Sequence, residues 1–378
     1  MSEIALACVL LVGAGLLSRS FLKVLDTDLG FRPERVAALR VDQPGPHRAR
    51  DERNAHFNDV LSRVRQIPGV FDAAVTDAVP LLGNDRSYGV IAKGAEDKRD
   101  NNTDAYIRTI TDGYVHTMGI NVIVGRDINA GDTPLTEPVI LVNQTAARTL
   151  WPGETAIGKI VRAETERRVV GVVADVRHGV LERASGLEVY IPMRQTDDYG
   201  SASLVVRSTL APAALASSIR GALAPGASGF ATNQIRTLQQ VVDSAVSPRR
   251  FFTLMLGGFA AFALCLALLG IYSVISYTVT QRTREIAVRM ALGASATQLQ
   301  ARIITQTLQL AAIGILIGSV ASWALTRTLG GFLYGVGSAD PLTYVAMFAI
   351  LTASAALGGY LPARRATRID PMLAIRAN

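Results

Sequence analysis

A glycine-rich segment in the middle of the chain comes close to a phosphate-binding motif. Gly153, Gly158 and Lys159 fit the pattern G-x-x-x-x-G-K-[ST], in which backbone N–H groups and the lysine hold nucleotide phosphates. The last position requires a hydroxyl group for magnesium, and here it is Ile160. A helix should also follow the motif, whereas the residues after Lys159 read as a strand. We therefore predict a turn without nucleotide, and we expect no bound cofactor.

Other residues that could do chemistry do not form a catalytic set. Neither a G-x-S-x-G nucleophile elbow nor an H-E-x-x-H metal motif occurs. The histidines are scattered without metal-ligand spacing: His47, His56, His116 and His178. Both cysteines, Cys8 and Cys265, lie inside apolar segments. The long middle region of the chain is therefore expected to contain no disulfide and no cysteine metal site. Four carboxylates fall in predicted loops or strand ends, where a solvated side chain is the default expectation: Asp127, Asp132, Asp175 and Glu188. We predict no metal site and no enzymatic activity.

The composition is that of a membrane protein. Of 378 residues, 49% are hydrophobic and only 18% are charged, whereas soluble domains carry about 25% charged residues. A helix needs about 20 apolar residues to cross a bilayer, and residues 251–280, 303–326 and 341–363 provide them without a charge. Residues 1–25 form a first span if Arg19 and Lys23 extend to the interface. A cleaved signal peptide is the alternative, but Glu3 and a poor cleavage site favour an uncleaved span.

The distribution of arginines predicts the orientation. Short cytoplasmic loops are rich in lysine and arginine, and here the basic segments are 280–302 and 364–376, while 330–340 has neither residue. We therefore expect a multi-pass membrane protein with both termini in the cytoplasm and residues 26–250 outside. The net charge of +7 reflects these loops. No basic stripe interleaved with aromatic residues occurs, so nucleic acid is not an expected partner.

Sequence signals at helix ends and along one span support this arrangement. Ser295 and Gln298 form a capping box that begins the third span. Asp340 before Pro341 predicts the N-terminus of the fourth span. Small residues recur every four positions in the third span and favour close helix packing: Gly314, Gly318 and Ser322.

The predicted fold class is an α-helical transmembrane protein with four spans and a large mixed α/β extracytoplasmic domain between spans 1 and 2. The domains are then 1–25, 26–250 and 251–378. In the middle domain, strands are predicted at 36–41, 70–75, 105–110, 139–142, 169–176, 188–191 and 204–207. Helices are predicted at 51–66, 143–150, 212–223 and 237–246. The polar residues 83–104 are the best candidate for a mobile excursion.

The connection between spans 2 and 3 is a short amphipathic helix at residues 280–294. Ile286, Met290 and Gly293 share one face, while Gln281, Arg282 and Arg289 point elsewhere. A charged helix at the membrane surface suits docking onto a soluble partner, or it serves as a positive-inside anchor without a partner. The pattern alone leaves both interpretations open.

Four motifs resemble those of one family. The run RTREIAVRMALGA at 282–294 resembles the signature of the MacB/FtsX permease family, and LPARRATRIDPMLAIR at 361–376 resembles its C-terminal segment. LWPGETAIGK at 150–159 and VGVVADVR at 170–177 resemble its periplasmic core domain. The resemblance covers nearly the whole chain and is closest to the duplicated permeases common in acidobacteria.

The resemblance implies an ABC transporter permease of the bacterial inner membrane that is moved by an ATPase on a separate chain. Family members pair as dimers, bind a cytoplasmic ATPase and transmit its closure to the periplasmic domain for efflux or export. By motif position, the ATPase-coupling helix would include Arg282, Arg284, Glu285, Arg289 and Met290. The remaining expected partners are a second permease in a homo- or heterodimer, a periplasmic protein and membrane lipid.

Two alternatives stay open beside this interpretation. A membrane scaffold or regulator could activate a periplasmic partner without transporting anything. Family members usually have a cytoplasmic segment before the first span, whereas here this segment is very short. A short segment of this kind is expected if the chain matches the second half of a duplicated permease.

Overall fold

The structure is a computed structural model. It describes residues 2–41, 50–83, 86–94, 103–183, 185–198, 202–223, 235–282, 285, 288, 295–328 and 333–366. The chain divides into two compact units, one of Met1–Asp26 with Pro248–Asn378 and one of Thr27–Ser247. The helices with described bounds are α1 (Ser2–Leu25), α2 (Arg50–Arg65), α3 (Tyr114–Met118), α4 (Gln144–Leu150), α5 (Pro212–Leu223), α6 (Leu238–Gln281), α7 (Ala296–Thr328) and α8 (Pro341–Ala366).

Four of these helices, α1, α6, α7 and α8, are long and apolar enough to cross a membrane. This confirms the four predicted spans. Small and aliphatic side chains of α1, such as Ala7 and Cys8, pack with Ala311 of α7 and Met347 of α8. Helix α6 is less enclosed by protein than α1, because 17% of the most apolar segment of α6 is buried, compared with 39% of that of α1.

The predicted helix at 237–246 and the second span are one continuous helix of 44 residues, although Pro248 lies inside it. Proline removes one backbone N–H donor and usually ends or kinks a helix, so the sequence suggested two elements. After Arg249 and Arg250, an uncharged and largely apolar stretch runs from Phe251 to Thr280. Burying this stretch in lipid favours continued helix, because the helix satisfies its own backbone groups.

The other unit is a mixed α/β domain, as predicted. Its strands are β1 (Val36–Val41), β2 (Val70–Thr76), β3 (Ser87–Gly89), β4 (Ile91–Ala92), β5 (Asp104–Ile110), β6 (Val122–Gly125), β7 (Val139–Asn143), β8 (Ile160–Ala163), β9 (Thr165–Val173), β10 (Leu187–Pro192), β11 (Ala202–Ser208) and β12 (Arg236–Thr237). They form one sheet in the order β12-β1-β11-β2-β5-β10-β7-β9-β8-β4, with β3 beside β5 and β6 beside β9. Most pairs are antiparallel, but β5 with β10 and β7 with β9 are parallel.

Alternation of side chains along the strands builds the core on both faces of the sheet. Ala73 and Val75 of β2 pack under α2 and α5, while Ala74 between them packs toward α3. At the other end of the sheet, Ala146 of α4 and Trp151 cover β7, β9 and β10.

The strands found at 36–41, 70–76, 104–110, 139–143, 187–192 and 202–208 agree with the prediction within two residues. Strand β9 begins four residues earlier than predicted and ends at Val173. The predicted mobile excursion is partly wrong, because residues 87–89 and 91–92 within it form β3 and β4. Helix α3 and strand β6 were not predicted, since each is too short to show a clear periodicity.

Candidate functional site

Two of the predicted coupling residues, Arg282 and Glu285, lie where α6 and α7 meet. Arg282 follows the end of α6, and together with Glu285 and Arg302 of α7 it lines a cavity of about 70 Å³. Thr278 and Gln306 add polar groups, and four aliphatic side chains complete the wall: Ile275, Val279, Leu299 and Ile303. The other predicted coupling residues, Arg284, Arg289 and Met290, lie outside the described residues.

The start of α7 beside this cavity is fixed by the predicted capping box. The Gln298 backbone N–H donates to Ser295 Oγ at 3.3 Å, and the Ser295 N–H donates to Gln298 Oε1 at 3.4 Å. Each side chain thus accepts from one N–H group that has no partner within the helix. The capping box is confirmed, and it sets where α7 begins relative to Arg302.

The predicted small-residue stripe on α7 faces α1 at Gly318. A Cβ atom on Gly318 would lie 2.5 Å from the Cβ of Cys8 and 2.9 Å from the Ala5 carbonyl oxygen, so a larger residue has no room. Gly314 is also buried, and the Ser322 hydroxyl donates to the Gly318 carbonyl at 2.6 Å. The Cys8 thiol lies buried at this contact, whereas Cys265 on α6 is exposed.

The C-terminal end of α1 carries polar contacts that the sequence analysis did not identify. Arg19 pairs with Asp340, Lys23 donates to the Gly335 carbonyl, and Ser20 Oγ accepts from the Tyr334 N–H at 2.8 Å. All three partners lie in the connection between α7 and α8. The signal was present in the sequence, because two basic residues in a span require partners or access to the interface.

In the α/β domain, a buried ionic network joins β5 and β10. Glu188 Oε1 lies 2.7 Å from Arg108 Nε and 2.8 Å from His178 Nε2, and the Tyr190 hydroxyl donates to Oε2 at 2.8 Å. The histidine approach is close but lacks the alignment of a hydrogen bond. Burial alone would raise the pKa of Glu188, but the charges and contacts of His178 and Arg108 outweigh it and lower that pKa.

Glu188 and His178 of this network line a cavity of about 150 Å³, together with Tyr106, Val180 and Arg183. The Ser185 hydroxyl, which also lines the cavity, donates to the Val176 carbonyl at 2.8 Å. The geometry is therefore that of a structural ion cluster. Within the part of the chain that the structure describes, no group of three or more His, Cys, Asp or Glu is arranged to hold a metal ion.

The other highlighted carboxylates are also tied into the structure. Asp132 is buried and accepts two hydrogen bonds from Arg126, at 2.7 and 2.8 Å. Asp175 accepts from the Thr145 N–H at 2.9 Å and from its hydroxyl at 2.7 Å. The expectation of solvated side chains is thus wrong for Asp132 and Glu188, because each has an arginine partner that offsets the cost of burial.

Gly125, next to Arg126, makes that pairing possible. It has φ +84°, and a Cβ atom there would lie 2.3 Å from the Val170 carbonyl oxygen. Only glycine combines this left-handed conformation with so close an approach of β6 to β9. The chain then turns so that Arg126 reaches Asp132.

The glycine-rich segment forms a turn between α4 and β8. Gly153 and Gly158 have φ of +76° and +80°, and Lys159 Nζ lies 2.6 Å from Glu154 Oε2. A phosphate-binding loop needs a strand before it and a helix after it, and here the order is the reverse. Lys159 is therefore ion-paired with Glu154 of the same turn.

Comparison with known proteins identifies the family. The MacB-like periplasmic core domain matches residues 1–233, and the FtsX-like permease C-terminal domain matches residues 257–371. The chain belongs to the MacB/FtsX permease family. It is thus an ABC transporter permease of the MacB type and a multi-pass membrane protein, as the sequence motifs indicated.

Two relatives illustrate the extent of the likeness. The permease is 26% identical over 371 residues to the macrolide export ATP-binding/permease protein MacB of Mannheimia succiniciproducens, covering 93% of this chain and 54% of that one. It is 25% identical over 326 residues to the uncharacterized ABC transporter permease YknZ of Bacillus subtilis, covering 79% and 78%. The permease therefore spans about half the length of the MacB relative.

A solved structure is also similar to the permease. The periplasmic region of MacB from Actinobacillus actinomycetemcomitans is 17% identical, with a TM-score of 0.39, over 59% of this chain and 97% of that one.

Proposed function

We propose that this permease transmits an ATP-driven conformational change from a separate cytoplasmic ATPase to its α/β domain, and that the motion drives efflux or export. The observation that carries the proposal is the charged cavity between α6 and α7. Arg282, Glu285 and Arg302 present charges of both signs where two membrane helices meet. Charges of both signs select a partner with a complementary pattern and fix its orientation.

The coupling helix at 280–294 would form the rest of this docking surface. In the sequence, Glu285 is preceded by Arg284 and followed by Arg289 and Met290, which would add two charges and one apolar side chain to this surface. Movement of this segment would act directly on the C-terminal end of α6 and the capped start of α7. Close packing at Gly314, Gly318 and Ser322 would then pass the displacement to α1.

The ATPase is expected outside this chain. The relative from Mannheimia is named for both ATP-binding and permease functions, so an ATPase is expected to act with the permease. The one glycine-rich segment that resembled a nucleotide site has its lysine paired with Glu154 and Ile160 in place of the magnesium ligand. These observations support a permease that does not hydrolyse ATP itself.

The proposed arrangement places both termini and the α6–α7 connection in the cytoplasm, with the α/β domain on the opposite side. Two permease chains would form a dimer, each with one ATPase, and the α/β domains would contact a periplasmic protein. The distribution of arginines supports this orientation through the positive-inside rule.

Purification of the tagged full-length permease from its native membrane in mild detergent tests the proposal. We expect a soluble ATPase to be recovered with it and Glu285→Lys to abolish that recovery, because the substitution reverses one charge of the surface. Glu52→Lys, on the exposed face of α2, is the matched control and should leave recovery unchanged.

Two results would contradict the proposal. The first is recovery of the ATPase at an unchanged level with Glu285→Lys. The second is recovery of periplasmic proteins alone with the wild-type chain, which would favour a scaffold that activates a periplasmic partner.

A further inference from the structure

The sheet of the α/β domain has a weak joint between β2 and β5. These two strands oppose each other at a single pair of residues, Thr76 and Ile110, whereas the other neighbouring strands share between two and six pairs. We call β12, β1, β11 and β2, with α2 and α5, the first lobe. The second lobe consists of β3 to β10 with α4. The joint is therefore the place where the sheet passes from one lobe to the other.

The two faces of the sheet differ at this joint. On the α3 face, one apolar cluster includes residues of both lobes, such as Ala74 of β2 and Ile110 of β5. On the α2 face, the first lobe has an apolar cluster that contains Val75, and the second lobe has a separate one that contains Ile107. Side chains alternate along a strand, so Asp77 lies on the same face as Val75. The lobes are thus joined by apolar packing on the α3 face and by polar contacts on the α2 face.

An ion pair crosses the joint on the α2 face. Asp77, which follows β2 of the first lobe, accepts from the Thr109 N–H at 2.8 Å and from Arg86 Nη2 at 3.1 Å. The Arg86 carbonyl accepts from the Ile107 N–H of β5 at 2.9 Å, which attaches the backbone of Arg86 to the second lobe. The Asp77–Arg86 ion pair therefore holds the two lobes together.

A second ionic bridge crosses the same boundary. Asp197 accepts from Arg50 Nε at 3.0 Å and pairs with Arg53, and both arginines belong to α2 of the first lobe. The next residue, Asp198, is bound to the second lobe, because its Oδ1 lies 2.8 Å from Arg86 Nη1. The Asp197 side chain is 52% exposed, and ion pairs so exposed to water are weak. This bridge can therefore break without unfolding either lobe.

We propose that the α/β domain opens and closes about a hinge at Thr76 and Ile110, with the Asp77–Arg86 pair and the Asp197 bridge as its latch. The apolar cluster on the α3 face is the axis, and the α2 face is the side that opens. A hinge of this kind places the motion at a few residues while the parts on either side stay rigid. The inference concerns contacts within one domain and does not depend on the proposed ATPase coupling.

Distances between spin labels on the two lobes test the hinge. The protein is the full-length permease in detergent, with Cys265→Ser to remove the exposed natural thiol. One label pair, Glu52→Cys with Arg148→Cys, lies on α2 and α4, one label in each lobe. The reference pair, Glu52→Cys with Ser217→Cys, lies on α2 and α5 of the first lobe. All three label positions are exposed. We expect a broad or two-peaked distance distribution for the first pair and a single narrow peak for the reference.

Removal of the exposed bridge tests the latch. Asp197→Asn should raise the ratio of open to closed molecules about two- to fivefold, the range expected for loss of an exposed ion pair, and move the first pair toward longer distances. Glu137→Gln is the matched control, because it removes an exposed carboxylate that pairs with Arg168 inside the second lobe, and it should leave the ratio unchanged. High salt screens exposed ion pairs and should favour the open form without any substitution in the latch.

Two outcomes would overturn the proposal. A distribution between the lobes as narrow as that of the reference pair, at both low and high salt, would show that the sheet is rigid across the joint. A broad distribution that responds equally to Asp197→Asn and Glu137→Gln, or to neither, would show a motion that the latch does not control.

Discussion

Arg19 of α1 pairs with Asp340, the residue that begins α8. The same carboxylate accepts the Thr343 N–H at 2.9 Å and the Thr343 hydroxyl at 2.6 Å, so it is both an ion-pair partner and a helix cap. Beside it, Lys23 donates to the Gly335 carbonyl. The basic residues of α1 therefore attach this helix to the connection between α7 and α8, which explains why a span tolerates them.

The dual role of Asp340 can be separated by two substitutions. Asp340→Asn keeps an oxygen for the Thr343 N–H but removes the charge, and a partly exposed ion pair is worth up to about 1 kcal/mol. Asp340→Ala also removes the cap, which costs about 1 kcal/mol more. Thermal unfolding in detergent should therefore rank the wild type above Asp340→Asn and Asp340→Asn above Asp340→Ala. Equal midpoints for the two variants would contradict the capping role.

Close packing of α1 on α7 depends on Gly318. Gly318→Leu must displace Cys8 or the backbone of α1, and overpacking of this kind costs about 1–3 kcal/mol. Gly258→Leu on α6 is the matched control, because nothing lies within 4 Å of a Cβ atom there. We expect thermal unfolding of the first variant at a lower temperature and of the second at or above that of the wild type. A tolerated leucine at 318 would argue against the contact.

The network around Glu188 should respond differently to single and combined substitutions. Glu188→Leu leaves Arg108 buried without its carboxylate and is expected to destabilise the α/β domain by about 3–5 kcal/mol. Adding Arg108→Met removes the isolated charge and should recover much of that loss. Adding Tyr190→Phe to this double variant removes the Tyr190 hydroxyl, which loses its acceptor when Glu188 is replaced. Denaturant unfolding followed by Trp151 fluorescence measures the series, and additive losses would contradict ionic coupling.

Asp77 predicts a pH dependence of stability. Burial raises the pKa of Asp77 to about 6, against the opposing hydrogen bond from Thr109 and the charge of Arg86. Because this folded value exceeds the unfolded value of about 3.9, the folded state binds the proton more tightly. The free energy of unfolding should then rise by about 2 kcal/mol from this group as the pH falls from about 7 to about 4.

Asp77→Asn isolates this contribution. Burial also raises the pKa of Asp127 to about 6, but Asp127 titrates in both proteins, so the difference between them reports Asp77. We expect denaturant unfolding of the variant to vary less with pH across that window. A wild type that loses stability relative to Asp77→Asn as the pH falls would reverse the sign and reject the assignment.

The features that could be predicted are those with a strong local signal. Long uncharged stretches predicted three of the spans, and a shorter apolar stretch extended through Arg19 and Lys23 predicted the first. The Ser295–Gln298 spacing predicted the start of α7, and Asp340 predicted that of α8. Alternating apolar residues predicted strands such as β1 at Val36–Val41. Each signal lies within a few residues of the structure it specifies.

The features that could not be predicted depend on distant parts of the chain. Nothing next to Glu188 in the sequence indicates that Arg108, 80 residues earlier, is its partner. Arg19 and Asp340 are separated by 321 residues. From the sequence, each is a charged residue near a helix end, and nothing indicates that the two form an ion pair. The continuity of α6 through Pro248 was also missed, because a proline is the strongest local sign of a helix boundary.

The different settings of the two cysteines have a practical consequence. Cys8 is sealed between helices, with Met347 Sδ 3.1 Å from its sulfur, whereas Cys265 lies exposed on α6. The natural chain thus carries a single thiol open to reagents, and it sits in an apolar segment where small uncharged labels partition. A nitroxide attached to Cys265 would report separations between neighbouring copies by paramagnetic resonance without any engineered residue.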